Sequence, residues 1–186
     1  NYLVRNSPTN WWANMDSDDL YMESYLQYSI EKMKKEKKEL CGSKQMLFIY
    51  PHHDYQISAI ECPAERQAHE ATMIGTKKYV RSMSGFSKND KKGEGASLID
   101  GNEMNVCLTE CAKQMICICH NRNTCCKDQF LDKKCEGAQF EGMKFEILKD
   151  LMKEEIEAGY QNLCEFTAAP QPEPAPTPTA PAPEPI

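Results

Sequence analysis

Ten cysteines in 186 residues constrain the fold of this chain more than any other feature, and seven of them lie within residues 107–135. An even cysteine count in a small chain is typical of an oxidised, cross-linked protein. The sequence therefore predicts that all ten form disulfides, although it does not determine the pairing: Cys41, Cys62, Cys107, Cys111, Cys117, Cys119, Cys125, Cys126, Cys135 and Cys164.

A zinc site is the competing interpretation of the cysteine cluster. Structural zinc sites usually combine two closely spaced pairs of cysteine or histidine ligands. Cys107 and Cys111 fit one such pair, but Cys117 and Cys119 are too close together, and Cys125 is adjacent to Cys126. We therefore expect disulfides in this region, with no metal and no cofactor.

The cysteines and the first residue together predict a location. Disulfides persist in oxidising compartments, and a chain that begins at Asn1 rather than Met favours a removed secretion signal over a fragment. We therefore expect a secreted or cell-surface protein. The net charge is −6, whereas nucleic-acid binders carry an excess of basic residues, so we expect no nucleic-acid partner. No stretch approaches the roughly 20 apolar residues of a membrane helix, so we expect no membrane insertion.

Composition divides the chain into an N-terminal arm (residues 1–16), a globular domain (17–166) and a proline-rich stalk (167–186). The alternating prolines of the stalk favour an extended polyproline II rod, and Thr177 and Thr179 among them are predicted sites of O-glycosylation. The arm carries Trp11 and Trp12, the only tryptophans in the chain. They either strap the arm to its own domain or anchor a like subunit, because tryptophan is enriched at interface hot spots.

The globular domain is predicted to be α+β, small and disulfide-rich, mainly helical with one short β-hairpin. Capping and apolar periodicity predict helices over residues 17–40, 64–84 and 102–119, and a last helix from about residue 143. The apolar run at 46–50 and the alternating pattern at 55–60 predict two strands joined by a four-residue turn.

No catalytic motif is present, and we predict no catalytic residue. His52, His53 and Asp54 fall in the predicted hairpin turn. Adjacent side chains of an extended segment point to opposite sides, so we expect these histidines to be exposed and without a function. His69 and His120 are too isolated in the sequence to suggest a catalytic triad.

Three functions are compatible with these features. The leading one is a non-enzymatic, extracellular structural or adhesive protein, acting as a surface protein or as a subunit of an extracellular assembly. Its partners would be like subunits or another extracellular protein, and its predicted interface residues are Trp11 and Trp12.

The two alternatives each require a specific arrangement in the folded chain. A secreted binding module for a protein or a small apolar ligand would have an open cavity lined by Tyr21, Tyr25, Tyr28 and Phe48. A secreted hydrolase would place a nucleophile or a metal beside one of three histidines: His52, His53 or His120.

Overall fold

The computed structural model of the chain describes residues 1–62, 68–83, 85–87, 94–120, 122–123, 126–132 and 145–159. In these residues, eight strands form two four-stranded sheets. The strands are β1 (Trp11–Ala13), β2 (Leu20–Tyr21), β3 (Leu40–Ser43), β4 (Gln45–Tyr50), β5 (Gln56–Glu61), β6 (Ile74–Thr76), β7 (Val106–Thr109) and β8 (Met115–Ile118). The α-helices of these residues are α1 (Tyr2–Asn6), α2 (Tyr25–Glu36), α3 (Lys77–Ser82) and α4 (Phe145–Gly159).

Both sheets are mixed. The first has the order β1-β6-β3-β7 and the second has the order β2-β8-β4-β5. In the first sheet β3 pairs in parallel with β7, and in the second β4 pairs in parallel with β8. Residues 40–50 therefore contribute one strand to each sheet, and so do residues 106–118. The two segments lie side by side and run in the same direction.

Apolar side chains fill both faces of this arrangement. Helix α2 covers one face of the first sheet, where Tyr25 and Met33 pack with Cys41, Ile74 and Cys107. Trp12, Leu40 and Val80 belong to the cluster on its other side. Helix α4 covers the second sheet, because its Ile156 packs with buried residues of β4 and β8.

The predicted mainly helical body with a single hairpin is therefore wrong. The hairpin itself is present, since β4 and β5 pair antiparallel from Gln45 opposite Glu61 to Tyr50 opposite Gln56. It belongs to a larger sheet, however, because β8 pairs along the other edge of β4. The prediction of a last helix from about residue 143 agrees with α4.

Three predicted helices are corrected. In place of the helix over 17–40, α2 covers only Tyr25–Glu36, and Leu20–Tyr21 pairs with β8. The segment 102–119 forms β7 and β8 rather than a helix. Within 64–84 the described residues form β6 and the short helix α3.

The disulfide-rich prediction is also corrected. No disulfide bond joins the seven cysteines that lie in the described residues. Six of them are buried, so they act there as small apolar side chains. Cys125, Cys135 and Cys164 lie outside the described residues, as do the stalk and its Thr177 and Thr179.

Candidate functional site

Three of the buried cysteines, namely Cys41, Cys107 and Cys117, are not activated as nucleophiles. Cys41 and Cys107 lie opposite each other on the parallel strands β3 and β7. Burial raises the pKa of each thiol to about 12, so both remain protonated at neutral pH. Cys117 is likewise a neutral thiol, because a hydrogen bond with Cys119 and burial raise its pKa. Reactive cysteines require the opposite shift.

His120 forms a structural pair with a carboxylate. Its Nε2 lies 2.9 Å from Oδ2 of Asp18, and its Nδ1 accepts a hydrogen bond from the Arg122 backbone N–H at 3.1 Å. Both ring nitrogens are therefore engaged, and the side chain is only 3% exposed. This arrangement does not place His120 beside a nucleophile, as the hydrolase alternative requires.

An acidic cleft of about 390 Å³ lies next to this pair. Asp16, Asp18 and Asp19 line it together with His69 and Lys127. Burial raises the pKa of Asp19 to about 7, and burial lowers the pKa of His69 to about 4. At neutral pH His69 is therefore uncharged, and Asp19 is only partly ionised.

The chemistry of the acidic cleft is limited. Asp19 can supply a proton, but its immediate partner, the thiol of Cys117, stays protonated. The thiol is not prepared to attack a substrate, and burial makes the uncharged imidazole of His69 a weak base. Within the described part of the chain, Asp18 and Asn123 of this cleft bond to His120, whereas the buried Nε2 of His69 has no hydrogen-bond partner.

The tyrosines predicted to line an open cavity do not share one. Tyr25 and Phe48 are each only 1% exposed and belong to different apolar clusters. The Tyr21 ring packs on Tyr25 at 5.1 Å between centroids, and the Tyr28 hydroxyl donates to Glu110. Tyr21 and Tyr25 stabilise the core under α2, whereas Phe48 stabilises the cluster of β4 and β8.

An open groove lies instead along the N-terminal arm. It has a volume of about 690 Å³, and its lining includes α1, β1 and Phe86. Trp12 and Phe86 meet edge to face at 5.1 Å. Tyr2 and Leu3 on α1 are 77% and 81% exposed. We call this feature the arm groove. Its two tryptophans are visible in the sequence as an unusual pair, whereas Phe86, which follows Gly85 in an irregular segment, has no such signal.

Hydrogen bonds between the arm and the rest of the chain hold the arm groove in shape. The Asn1 side chain donates to the Phe86 carbonyl at 2.7 Å and accepts from the Phe86 N–H at 3.0 Å. Lys77 Nζ donates to the Ser7 carbonyl at 2.6 Å. Asn14 Nδ2 donates to the Glu70 carbonyl at 2.7 Å. Both ends of the arm are therefore attached to the domain.

Strand β1 is an edge strand whose outer side borders the arm groove. The Lys77 N–H donates to the Asn10 carbonyl, and the Asn14 N–H donates to the Met73 carbonyl. Antiparallel pairing alternates, so the backbone groups of Trp12 face β6 and those of Trp11 and Ala13 face outward. The Trp11 carbonyl accepts a hydrogen bond from Thr9 Oγ1. The outward amide groups of Trp11 and Ala13 are thus placed to pair with another strand.

Comparisons with protein-family models, with curated proteins and with solved structures give no match to this chain. No helix in the described residues is long and apolar enough to cross a membrane.

Proposed function

We propose that this chain is a non-enzymatic binding module that takes an extended, apolar segment of a partner protein as an added strand along β1. The observation that carries the proposal is the outward edge of β1 beside an apolar groove. Strand addition uses backbone hydrogen bonds for affinity and side-chain pockets for specificity. The arm groove offers both.

The first contribution is the strand edge. The amide groups of Trp11 and Ala13 face away from β6, and β1 has a partner strand on one side only. An unpaired edge is a template for a further strand. Natural edges are often blunted by lysine or proline, but β1 has the sequence Trp-Trp-Ala.

The second contribution is apolar surface. Trp12 and Phe86 line the arm groove, and Tyr2 and Leu3 expose most of their side-chain surface at its rim. A large exposed apolar surface is typical of an interaction site. Alternate side chains of an added strand point to the same face, so every second residue of the partner segment would reach these side chains.

This function is compatible with the structural or adhesive role expected from the sequence. A surface protein, or a subunit of an extracellular assembly, would use the arm groove to hold its partner. The secreted or cell-surface location and the extracellular partner stay proposals from the sequence, although no disulfide joins the seven cysteines of the described residues. A like subunit is the other occupant to be tested, because a second β1 edge can also add to the first.

The test blocks the strand edge at Ala13, which is partly buried beside the cluster under α2, so thermal melting first checks that the variant is folded. Peptides are selected from a random display library on the full chain, and their affinity is then measured for the variant Ala13→Pro. Proline has no N–H and is tolerated on an outward edge, so this change removes a pairing group while the β6 side stays bonded. We expect at least a tenfold loss of affinity.

Ala13→Ser is the matched control, since it keeps the N–H and should bind as the parent chain does. Binding also reports on the indoles, because both tryptophans of the chain line the arm groove and their fluorescence should change. Peptides that bind Ala13→Pro and the parent chain equally would overturn the proposal. In the other outcome, the library yields no peptide while the parent chain dimerises and Ala13→Pro does not. That result would show that a second copy of the chain, rather than a partner segment, occupies the arm groove.

A further inference from the structure

We propose that His52, His53 and Asp128 form a binding site for a divalent transition-metal ion, with Zn²⁺ as the ion that fits best. One ligand atom from each residue lies within 4.8 Å of the other two. His52 Nε2 is already 3.3 Å from Asp128 Oδ1. Zinc bonds of about 2.0–2.2 Å place neighbouring ligands of a tetrahedron roughly 3.4 Å apart.

The backbone conformation brings the two histidines together. Pro51–His53 forms a single turn of 3₁₀-helix after β4, so the expected extended geometry does not occur. The rings of His52 and His53 are 4.4 Å apart between centroids. The Tyr50 ring lies 6.0 and 6.3 Å from them, which restricts both rings on one side. Adjacent histidines can therefore contribute to one site.

The segment that carries Asp128 is attached to the hairpin on both sides of the carboxylate. The Tyr50 hydroxyl donates to the Lys127 carbonyl at 3.0 Å, and Gln56 Nε2 donates to the Leu131 carbonyl at 3.0 Å. The Phe130 ring stacks on Phe48 at 5.6 Å. These contacts bring Asp128, which is 76 residues from His52 in the sequence, to the same end of the sheet.

The neighbouring charges leave the three ligands available. Asp54 follows the histidines, but its Oδ2 accepts a hydrogen bond from Lys149 Nζ of α4 at 2.7 Å. Lys127 Nζ lies over the Phe48 ring at 5.5 Å and faces the acidic cleft, where it influences Asp16. Asp128 is thus the carboxylate that the turn presents to the histidines.

The donor set selects the class of metal. Two imidazole nitrogens and one carboxylate oxygen suit zinc and related first-row ions better than calcium or magnesium, which prefer oxygen ligands. Three protein ligands leave a fourth position for water or for a group from a bound molecule. All three residues are exposed, so a partner can reach this position.

The test uses Co²⁺ as a spectroscopic probe of the zinc site in the full, reduced chain. Removal of one ligand by His52→Ala, His53→Ala or Asp128→Asn should weaken binding of one Co²⁺ equivalent by about 100-fold or more, since changes to supporting residues alone cost about 10–100-fold. Excess Zn²⁺ should displace this equivalent. Its spectrum should lack a thiolate-to-cobalt charge-transfer band, because no cysteine is a ligand.

Asp54→Asn is the matched control, as it removes a neighbouring carboxylate that is bound to Lys149. It should bind Co²⁺ as the parent chain does. Because the three ligands are exposed, thermal melting of the variants should match that of the parent chain, and His52→Gln replaces His52→Ala if it does not. Equal Co²⁺ binding by the parent chain and by Asp128→Asn would overturn the proposal. A thiolate-to-cobalt band in the part of the spectrum that the ligand variants lose would overturn it as well.

Discussion

Asp19 occupies a position where a charged carboxylate is poorly solvated. It is 6% exposed, and its Oδ1 accepts a hydrogen bond from the Ile118 N–H at 3.0 Å. Burial raises its pKa from 3.8 to about 7, and this outweighs the hydrogen bonds from Cys117 and Ile118, which lower it. Asp16 and Asp18 add a smaller repulsion. The folded chain therefore favours the protonated form.

His69 makes the free energy of unfolding rise with pH between about 4 and 6.5, because in that range the unfolded state holds a proton that the folded state has lost. Asp19 has the opposite effect between about 4 and about 7, because there the folded state holds a proton on Asp19 that the unfolded state has lost, so its contribution to stability falls as pH increases. The contribution of this group is up to about 4 kcal/mol. Asp19→Asn keeps the oxygen acceptor without the charge, so it should remove the fall that Asp19 contributes, leave the rise that His69 contributes, and be more stable than the parent chain at pH 8.

Urea unfolding of both chains at several pH values between 4 and 8 measures the effect. Asp100→Asn is the matched control, since it makes the same substitution at an exposed position. Identical slopes for Asp19→Asn and the parent chain would contradict the raised pKa.

At the scale of secondary structure, local patterns predicted the elements that depend on neighbours in sequence. The hairpin of β4 and β5 follows from two short runs and a turn, and α4 follows from a long apolar periodicity. The parallel pairs left no such signal. Leu40 pairs with Val106 and Leu47 with Ile116, more than 60 residues away in each case.

The wrong helix over 102–119 has a related cause. A short apolar run fits a buried strand as well as a helix, and only the partner strand decides between them. Met115–Ile118 is buried at all four positions because it lies between β2 and β4. Tertiary pairing therefore overrode the predicted helix.

The candidate sites were predictable only in part for the same reason. Trp11, Trp12 and the two adjacent histidines are visible in the sequence as unusual pairs. Phe86 and Asp128 are not. Phe86 lies in an irregular segment and Asp128 begins a single turn of 3₁₀-helix, and each reaches its site through contacts across the fold.

Helix α4 supplies a prediction about packing. Ile156 is fully buried against the second sheet, whereas Leu151 on the same helix is 45% exposed. Ile156→Ala removes apolar contacts and leaves a cavity, so it should lower the free energy of unfolding by about 2–5 kcal/mol. Leu151→Ala should change it by less than about 0.5–1 kcal/mol. Chemical denaturation compares the two, and equal effects would show that α4 does not pack as described.

At the scale of the whole molecule, the arm is part of the folded body. Strand β1 completes the first sheet, and Trp12 is 8% exposed with its indole against Gly75. Trp11 is partly exposed and packs beside the cluster under α2. The strap interpretation therefore describes Trp12, while a contact between Trp11 and a like subunit stays a prediction.

Single substitutions separate these two roles. Trp12→Ala should lower the free energy of unfolding by about 3–5 kcal/mol, because a large buried ring is removed from the apolar cluster between the first sheet and Phe86. Its oligomeric state in light scattering should equal that of the parent chain. Trp11→Ala should have the smaller effect on stability, because the side chain it removes is already partly in water. A folded Trp12→Ala chain of unchanged stability that no longer assembles would contradict the strap role, since it would show that the indole is covered by a second copy rather than by its own domain.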